Sequence, residues 1–169
     1  MSKVNNVLII GGGTVGLATA QQILSNCDDV KITIYDLKPA NVADSLYQLA
    51  DKLPAKDYDR LTDKVNFMLG GEYLLNGFVF DIAFICVDTP AVYITPEKIG
   101  LNTTNVITAI KLADEICNTT VVRSTVPIGF CDLNHTHHLP EFLVQDAPLE
   151  EKSRIVFGMN KKATGYDAQ

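Results

Sequence analysis

A four-residue apolar run, Val7-Leu8-Ile9-Ile10, passes directly into Gly11-Gly12-Gly13-Thr14-Val15-Gly16, and an amphipathic stretch follows. A second apolar run, Ile32 to Tyr35, ends on Asp36, about 20 residues after Gly16. A lone G-x-G-x-x-G says little; flanked by strand, helix and strand-end acid, it specifies a βαβ unit around a tight glycine turn. In such a unit Gly11 allows the turn, Gly13 lets the backbone approach a pyrophosphate, and Gly16 brings helix and strand together. The pyrophosphate would rest on the helix N-terminus, where N–H groups and the positive end of the dipole point at it. Asp36 would accept hydrogen bonds from the adenosine ribose. A carboxylate there favours a 2′-OH and repels a 2′-phosphate, so NAD is the expected cofactor rather than NADP. Lys38 has two open readings: it reaches the same ribose, or it is a solvated loop lysine before Pro39.

The remaining chain alternates in the same way. Residues 42–53 carry apolar groups at helical spacing and predict a second crossover helix. Val65 to Leu69 reads as a strand closed by Gly70-Gly71, and 72–80 is open between a short helix and a loop. Asp81 to Val87 is a nearly continuous apolar run, as in a strand buried on both faces. Residues 103–116 predict an amphipathic helix with Asn102 as N-cap. Thr119 to Arg123 and Arg154 to Phe157 complete the strands. Strands alternating with helices imply a single α/β domain, a doubly wound parallel (Rossmann) sheet with its site at the strand carboxyl ends. The expected division is a Rossmann-type NAD-binding domain over 1–160 and a tail over 161–169.

At 169 residues the chain suits one domain with a substantial core. A formal charge of −6 argues against nucleic acid and anionic membranes, whose binding needs clustered Lys and Arg. No stretch of 18 apolar residues and no N-terminal signal segment is present, so a soluble, cytoplasmic protein is expected. Cys27, Cys86, Cys117 and Cys131 lack C-x-x-C spacing and read as reduced thiols. His135, His137 and His138 lack the i, i+4 pattern and a completing cysteine or acid, so no metal site is expected.

Under this topology the residues after each strand share one crevice. They are Val87-Asp88-Thr89-Pro90, then Arg123-Ser124-Thr125-Val126-Pro127-Ile128-Gly129, and later Leu139-Pro140-Glu141-Phe142-Leu143. Thr89, Ser124 and Thr125 would bring hydroxyls to the nicotinamide half of the cofactor, and Glu141 a carboxylate. Thr-Pro and Ser-Thr are also ordinary loop residues, and Pro-Glu often opens a helix.

From Val7 to about Gly158 the chain resembles the NAD-binding N-terminal domain of the nucleotide-sugar dehydrogenases of the UDP-glucose/GDP-mannose type. GGGTVGL is similar to that family's G-x-G-Y-V-G-L turn, FICVDTP to its strand ending in V-x-T-P, and RSTVPIGF to its K-S-T-V-P-x-G segment. LPEFL is similar to its N-P-E-F-L segment, and RIVFG to the strand ending the domain. The resemblance implies an NAD-dependent oxidoreductase, UDP-glucose 6-dehydrogenase-like, taking a sugar C6 alcohol to a carboxylate through an aldehyde and a cysteine thioester. It implies cofactor contacts from Thr89 and Ser124; with the glycine turn and the strand ends, the expected cofactor-binding set is Gly11, Gly13, Thr14, Val15, Gly16, Asp36, Lys38, Val87, Thr89, Pro90, Ser124 and Thr125. It places Thr125 and Glu141 as the catalytic pair near the reacting carbon, where a carboxylate beside a hydroxyl can orient the hydrolytic water.

The departures are specific. The family's turn tyrosine is Thr14 here, and its second glutamate, four residues after the first, is Gln145. The family's central helical segment, lysine, asparagine and cysteine motif have no counterpart, so the chain alone is expected to be inactive. A nucleotide sugar would be bound only with a complementary domain or chain. Self-association and association with a full-length dehydrogenase both stay open. The alternative reading is a catalytically inactive NAD-binding sensor or regulatory module.

Overall fold

The computed structural model describes residues 4–38, 63–71, 75, 77–95, 98–140 and 156–160. The strand β1 (Asn6–Ile10) shows how the sequence makes the layers. Its side chains alternate across the sheet: Val7 and Ile9 enter one apolar cluster, Leu8 and Ile10 the other. Both faces are buried, which is why the run is continuously apolar. Helix α1 (Thr14–Asn26) covers the first face with Leu17, Ala20 and Leu24. β2 (Lys31–Asp36) follows, and then β3 (Val65–Leu69) and β4 (Ile82–Ile85). A hairpin of β5 (Ala91–Thr95) and β6 (Lys98–Leu101) precedes α2 (Thr104–Ile116), whose Val106, Ala109, Ile110 and Ala113 cover the opposite face. β7 (Thr120–Val122), the short helix α3 (Phe130–Leu133) and β8 (His137–His138) complete the described elements.

The main sheet has six strands in the order β3-β2-β1-β4-β7-β8, and every neighbouring pair is parallel. Counted within that sheet alone, this is the 3-2-1-4-5-6 order of a doubly wound dinucleotide fold, so the expected Rossmann-like α/β domain is what forms. The order reverses between β1 and β4, with Ile10 opposite Tyr35 on one side and Ile85 on the other. Among the described residues no helix is long and apolar enough to cross a membrane.

Several elements differ from expectation. The predicted strand 81–87 is confined to Ile82–Ile85; Asp81 stands at its entrance, where Oδ2 accepts from the Asn5 and Asn6 N–H groups at 2.7 and 2.9 Å. Those bonds hold its carboxyl below the ordinary value. Helix α2 has Thr103, not the expected Asn102, as its N-cap and carries no side-chain cap; Asn102 Oδ1, one residue earlier, accepts from Thr104 N–H at 3.0 Å. The antiparallel β5–β6 hairpin is an element the sequence reading passes over.

The expected last strand is corrected. Val156 and Phe157 are not in a strand; Gly158 makes an isolated antiparallel bridge to His138, and the sixth strand is His137–His138. At the sheet edge His137 is buried and His138 half-buried; His137 Nδ1 accepts from Asn160 N–H at 3.1 Å and its ring lies 5.5 Å from that of Phe157. The predicted helix over 42–53, residues Arg154 and Ile155, and the tail over 161–169 lie outside the described residues.

Candidate functional site

At the carboxyl ends of β1, β2, β4 and β7 lies a crevice of about 650 Å3. Its floor is the glycine turn. Gly11 has φ +105°, and a Cβ there would sit 2.5 Å from the Cys86 carbonyl oxygen, so both conformation and space require glycine. At Gly16 a Cβ would fall 1.9 Å from the Gly11 carbonyl oxygen, which is how α1 and the turn pack so closely. Gly13 is the contrary case. A Cβ there would meet nothing within 4 Å, yet the residue lines the crevice: it leaves a cradle open to a ligand. Gly13 is also the N-cap of α1, which has no side-chain cap and no acid in its first turn. An uncapped helix end of this kind suits an anion.

Asp36 forms the lip of the crevice and is only 9% exposed. Its Oδ2 accepts from Gly12 N–H at 2.7 Å and its Oδ1 from Lys38 N–H at 2.8 Å. The carboxylate is thus oriented by backbone on both sides, one of them the glycine turn itself. These are the parts a dinucleotide requires, and the residues present fit one: a glycine cradle, an uncapped helix terminus and a fixed carboxylate at the end of β2.

The opposite wall comes from β4, β7 and α2. Cys86, Val87, Asp88 and Thr89 follow β4, and Arg123, Ser124 and Thr125 follow β7. Ser124 is buried, and its hydroxyl donates to Val87 O at 2.6 Å, with a longer contact to Ile85 O at 3.3 Å. Arg123 is buried as well, its Nη1 donating to Gln22 Oε1 of α1 at 3.5 Å. Asp88 Oδ1 accepts from Asn105 Nδ2 at 3.0 Å, tying the β4 turn to α2.

Of the residues singled out from sequence, Gly11, Gly13, Thr14, Val15, Asp36, Lys38, Val87, Thr89, Ser124 and Thr125 all line this one crevice. Gly16 stands behind the turn. Pro90 is not in the lining; its carbonyl accepts from Asn102 N–H at 2.9 Å, at the base of the hairpin. Glu141 and Gln145, and with them the expected Thr125–Glu141 pair, lie outside the described residues. The sequence reading missed Asn105, Thr108, Ala109 and Leu112, which also line the crevice. Their i, i+3, i+4, i+7 spacing on the predicted helix over 103–116 was the available signal.

Three of the four cysteines are held as thiols by burial. Burial pushes the Cys86 thiol up to about 11, and burial with the Asp114 charge pushes Cys117 up to about 12. Cys131 is also raised by burial, and Cys27 is exposed. Burial lowers both His137 and His138 from the ordinary imidazole value. Among the described residues no three His, Cys, Asp or Glu side chains converge as a metal site.

No protein-family model matches the chain. Its fold is shared with solved dehydrogenases. A UDP-glucose dehydrogenase from Pyrobaculum islandicum superposes with a TM-score of 0.67 at 20% identity, over 96% of this chain and 42% of that one. A UDP-D-ManNAc dehydrogenase from Pyrococcus horikoshii gives 0.61 at 19% identity, over 82% and 37%. A (S)-3-hydroxybutyryl-CoA dehydrogenase from Ralstonia eutropha gives 0.57 at 16% identity, over 83% and 50%. The chain therefore spans half or less of the length of these structures. At such identities the likeness is one of fold.

Proposed function

We propose that this chain is the NAD-binding part of a nucleotide-sugar 6-dehydrogenase, acting on the C6 alcohol of a UDP- or GDP-sugar. The observation that carries the reading is convergence. The glycine turn, Asp36, the Val87–Thr89 turn and the Arg123–Thr125 segment meet on one crevice at the point where strand order reverses. Three of the segments that resemble the nucleotide-sugar dehydrogenases, GGGTVGL, FICVDTP and RSTVPIGF, supply just over half of that lining. Similarity of fold to two UDP-sugar dehydrogenases supports the same reading.

In this reading α1 and Gly13 receive the pyrophosphate, and Asp36 accepts from the adenosine ribose. NAD, when bound, supplies the hydride acceptor. The chain's own residues orient and shield: Thr89 and Thr125 present hydroxyls on the β4 and β7 side, and the apolar Val87, Ala109 and Leu112 limit access of water. Glu141 is proposed to work with Thr125 on the hydrolytic water, as the resemblance implies. The thioester nucleophile is proposed to come from a complementary half, because the thiols raised by burial here are poor thiolates at neutral pH.

The test is activity with and without that half. The purified chain should form no NADH from NAD with UDP-glucose, UDP-N-acetylated sugars or GDP-mannose. Adding a sugar-binding, cysteine-bearing half should produce NADH and a sugar acid. Steady turnover by this chain alone would overturn the division of labour, and no turnover with any complementary half would overturn the assignment.

A further inference from the structure

The β4–β7 ladder ends at the pair Ile85–Val122, yet the wall of the crevice is made by residues beyond it. Past that pair, Arg123 N–H and Ser124 N–H both donate to Ile85 O, at 2.9 and 3.1 Å. Val87 O lies further along, and the hydroxyl of Ser124 reaches it at 2.6 Å. A side chain thereby continues the tie between the two strands after the backbone ladder has stopped. The turn is held from the other side as well, by Asn105 on Asp88.

The hydroxyl of Ser124 has one proton, and both of its partners are carbonyl oxygens. Spent on Val87, that proton is not offered to a ligand. We propose that Ser124 is a positioning residue: by anchoring Val87 it sets the Val87–Thr89 turn, and so shapes the nicotinamide half of the cleft while leaving the adenosine half alone. This rests on the NAD-binding reading above. It differs from the direct cofactor contact that resemblance implies for Ser124. The separation follows from the fold, because the adenosine half belongs to the β1–β3 side and the turn to the β4–β7 side of the switch point.

The experiment compares two ligands and one ligand-free signal. NAD and ADP-ribose are titrated calorimetrically into the wild type, Ser124→Ala and Ser124→Thr, and amide exchange across 85–90 is followed without ligand. Ser124→Ala should weaken NAD about tenfold, the order expected for one lost hydrogen bond, and leave ADP-ribose within about twofold. Exchange in the turn should quicken in Ser124→Ala, and Ser124→Thr should restore both signals. A selective loss of NAD without quicker exchange means direct contact and overturns the proposal. So does quicker exchange with NAD and ADP-ribose affected equally. If Ser124→Ala does not fold, Asn105→Ala, at an exposed position, removes the opposite tie. It should give the same selective loss and quicker exchange, and their absence overturns the proposal. Failure of the wild type to bind either ligand would instead sink the NAD-binding reading, and the proposal with it.

Discussion

Alanine at Gly13 and alanine at Gly16 should fail in opposite ways. At Gly13 the backbone has φ −76° and ψ −169°, ordinary extended geometry that alanine adopts, and its Cβ would meet nothing within 4 Å. Losing glycine at an N-cap costs a few tenths of a kcal/mol or more, and the reduced freedom of the unfolded chain offsets about as much. The net change in folding stability should stay within about 1 kcal/mol. The new methyl, however, fills the cradle where a pyrophosphate would meet backbone N–H groups. Losing charge-assisted hydrogen bonds of roughly 1.5–3 kcal/mol weakens NAD by about ten- to a hundredfold. At Gly16 the Cβ would sit 1.9 Å from a backbone oxygen, so the turn itself must move. Overpacking of that kind costs about 1–3 kcal/mol, or roughly 3–10 °C in Tm for a chain this size. Calorimetry with NAD and thermal unfolding, run on both variants, separate the two effects. If Gly13→Ala binds NAD like the wild type, the open cradle is not where the pyrophosphate rests, and the reasoning fails.

Two further outcomes follow from the buried groups. Under native conditions at pH 7.5, a thiol reagent should label Cys27 quickly and Cys86, Cys117 and Cys131 slowly, and Cys27→Ser should abolish the fast phase; a second fast thiol would contradict the burial argument. His137 is lowered from 6.5, so the unfolded chain binds its proton more readily than the folded one, and the associated stability is present above pH 6.5 and lost as pH falls through the lower folded value. Thermal unfolding should show Tm dropping over that window. His137→Asn, whose amide oxygen can accept from Asn160, should flatten the drop; an unchanged slope would show that His137 does not carry it.

The parallel sheet was legible because its central strands are buried on both faces. Val7 to Ile10 and Ile32 to Tyr35 read as apolar runs because their side chains enter both core clusters or are buried, whereas edge strand β3 buries only Val65 fully. The glycine turn and Asp36 were legible because close backbone packing and a strand-end acid leave fixed spacings. The edge was not. β8 is two histidines, polar in sequence, of which His137 is buried against Phe157 and Asn160, and periodicity carries no sign of that. The β5–β6 hairpin exposes Tyr93, Ile94 and Ile99 to solvent, so it lacks the inward–outward alternation that marks a half-buried strand. Ser124 was legible as a crevice residue, but the partner of its hydroxyl, Val87 O, sits in the turn after another strand, 37 residues away. Only the folded chain shows that bond.

Titration of NAD and NADP into the wild type and Asp36→Ala tests the central claim most directly. The carboxylate is held at the lip by Gly12 and Lys38 N–H groups, so its loss removes a prepositioned charged acceptor. The wild type should bind NAD and bind NADP clearly more weakly. Asp36→Ala should cost NAD roughly 1.5–3 kcal/mol, about ten- to a hundredfold in Kd, and narrow the gap between the two cofactors. Equal affinity of the wild type for NAD and NADP, or no affinity for either, would contradict the account.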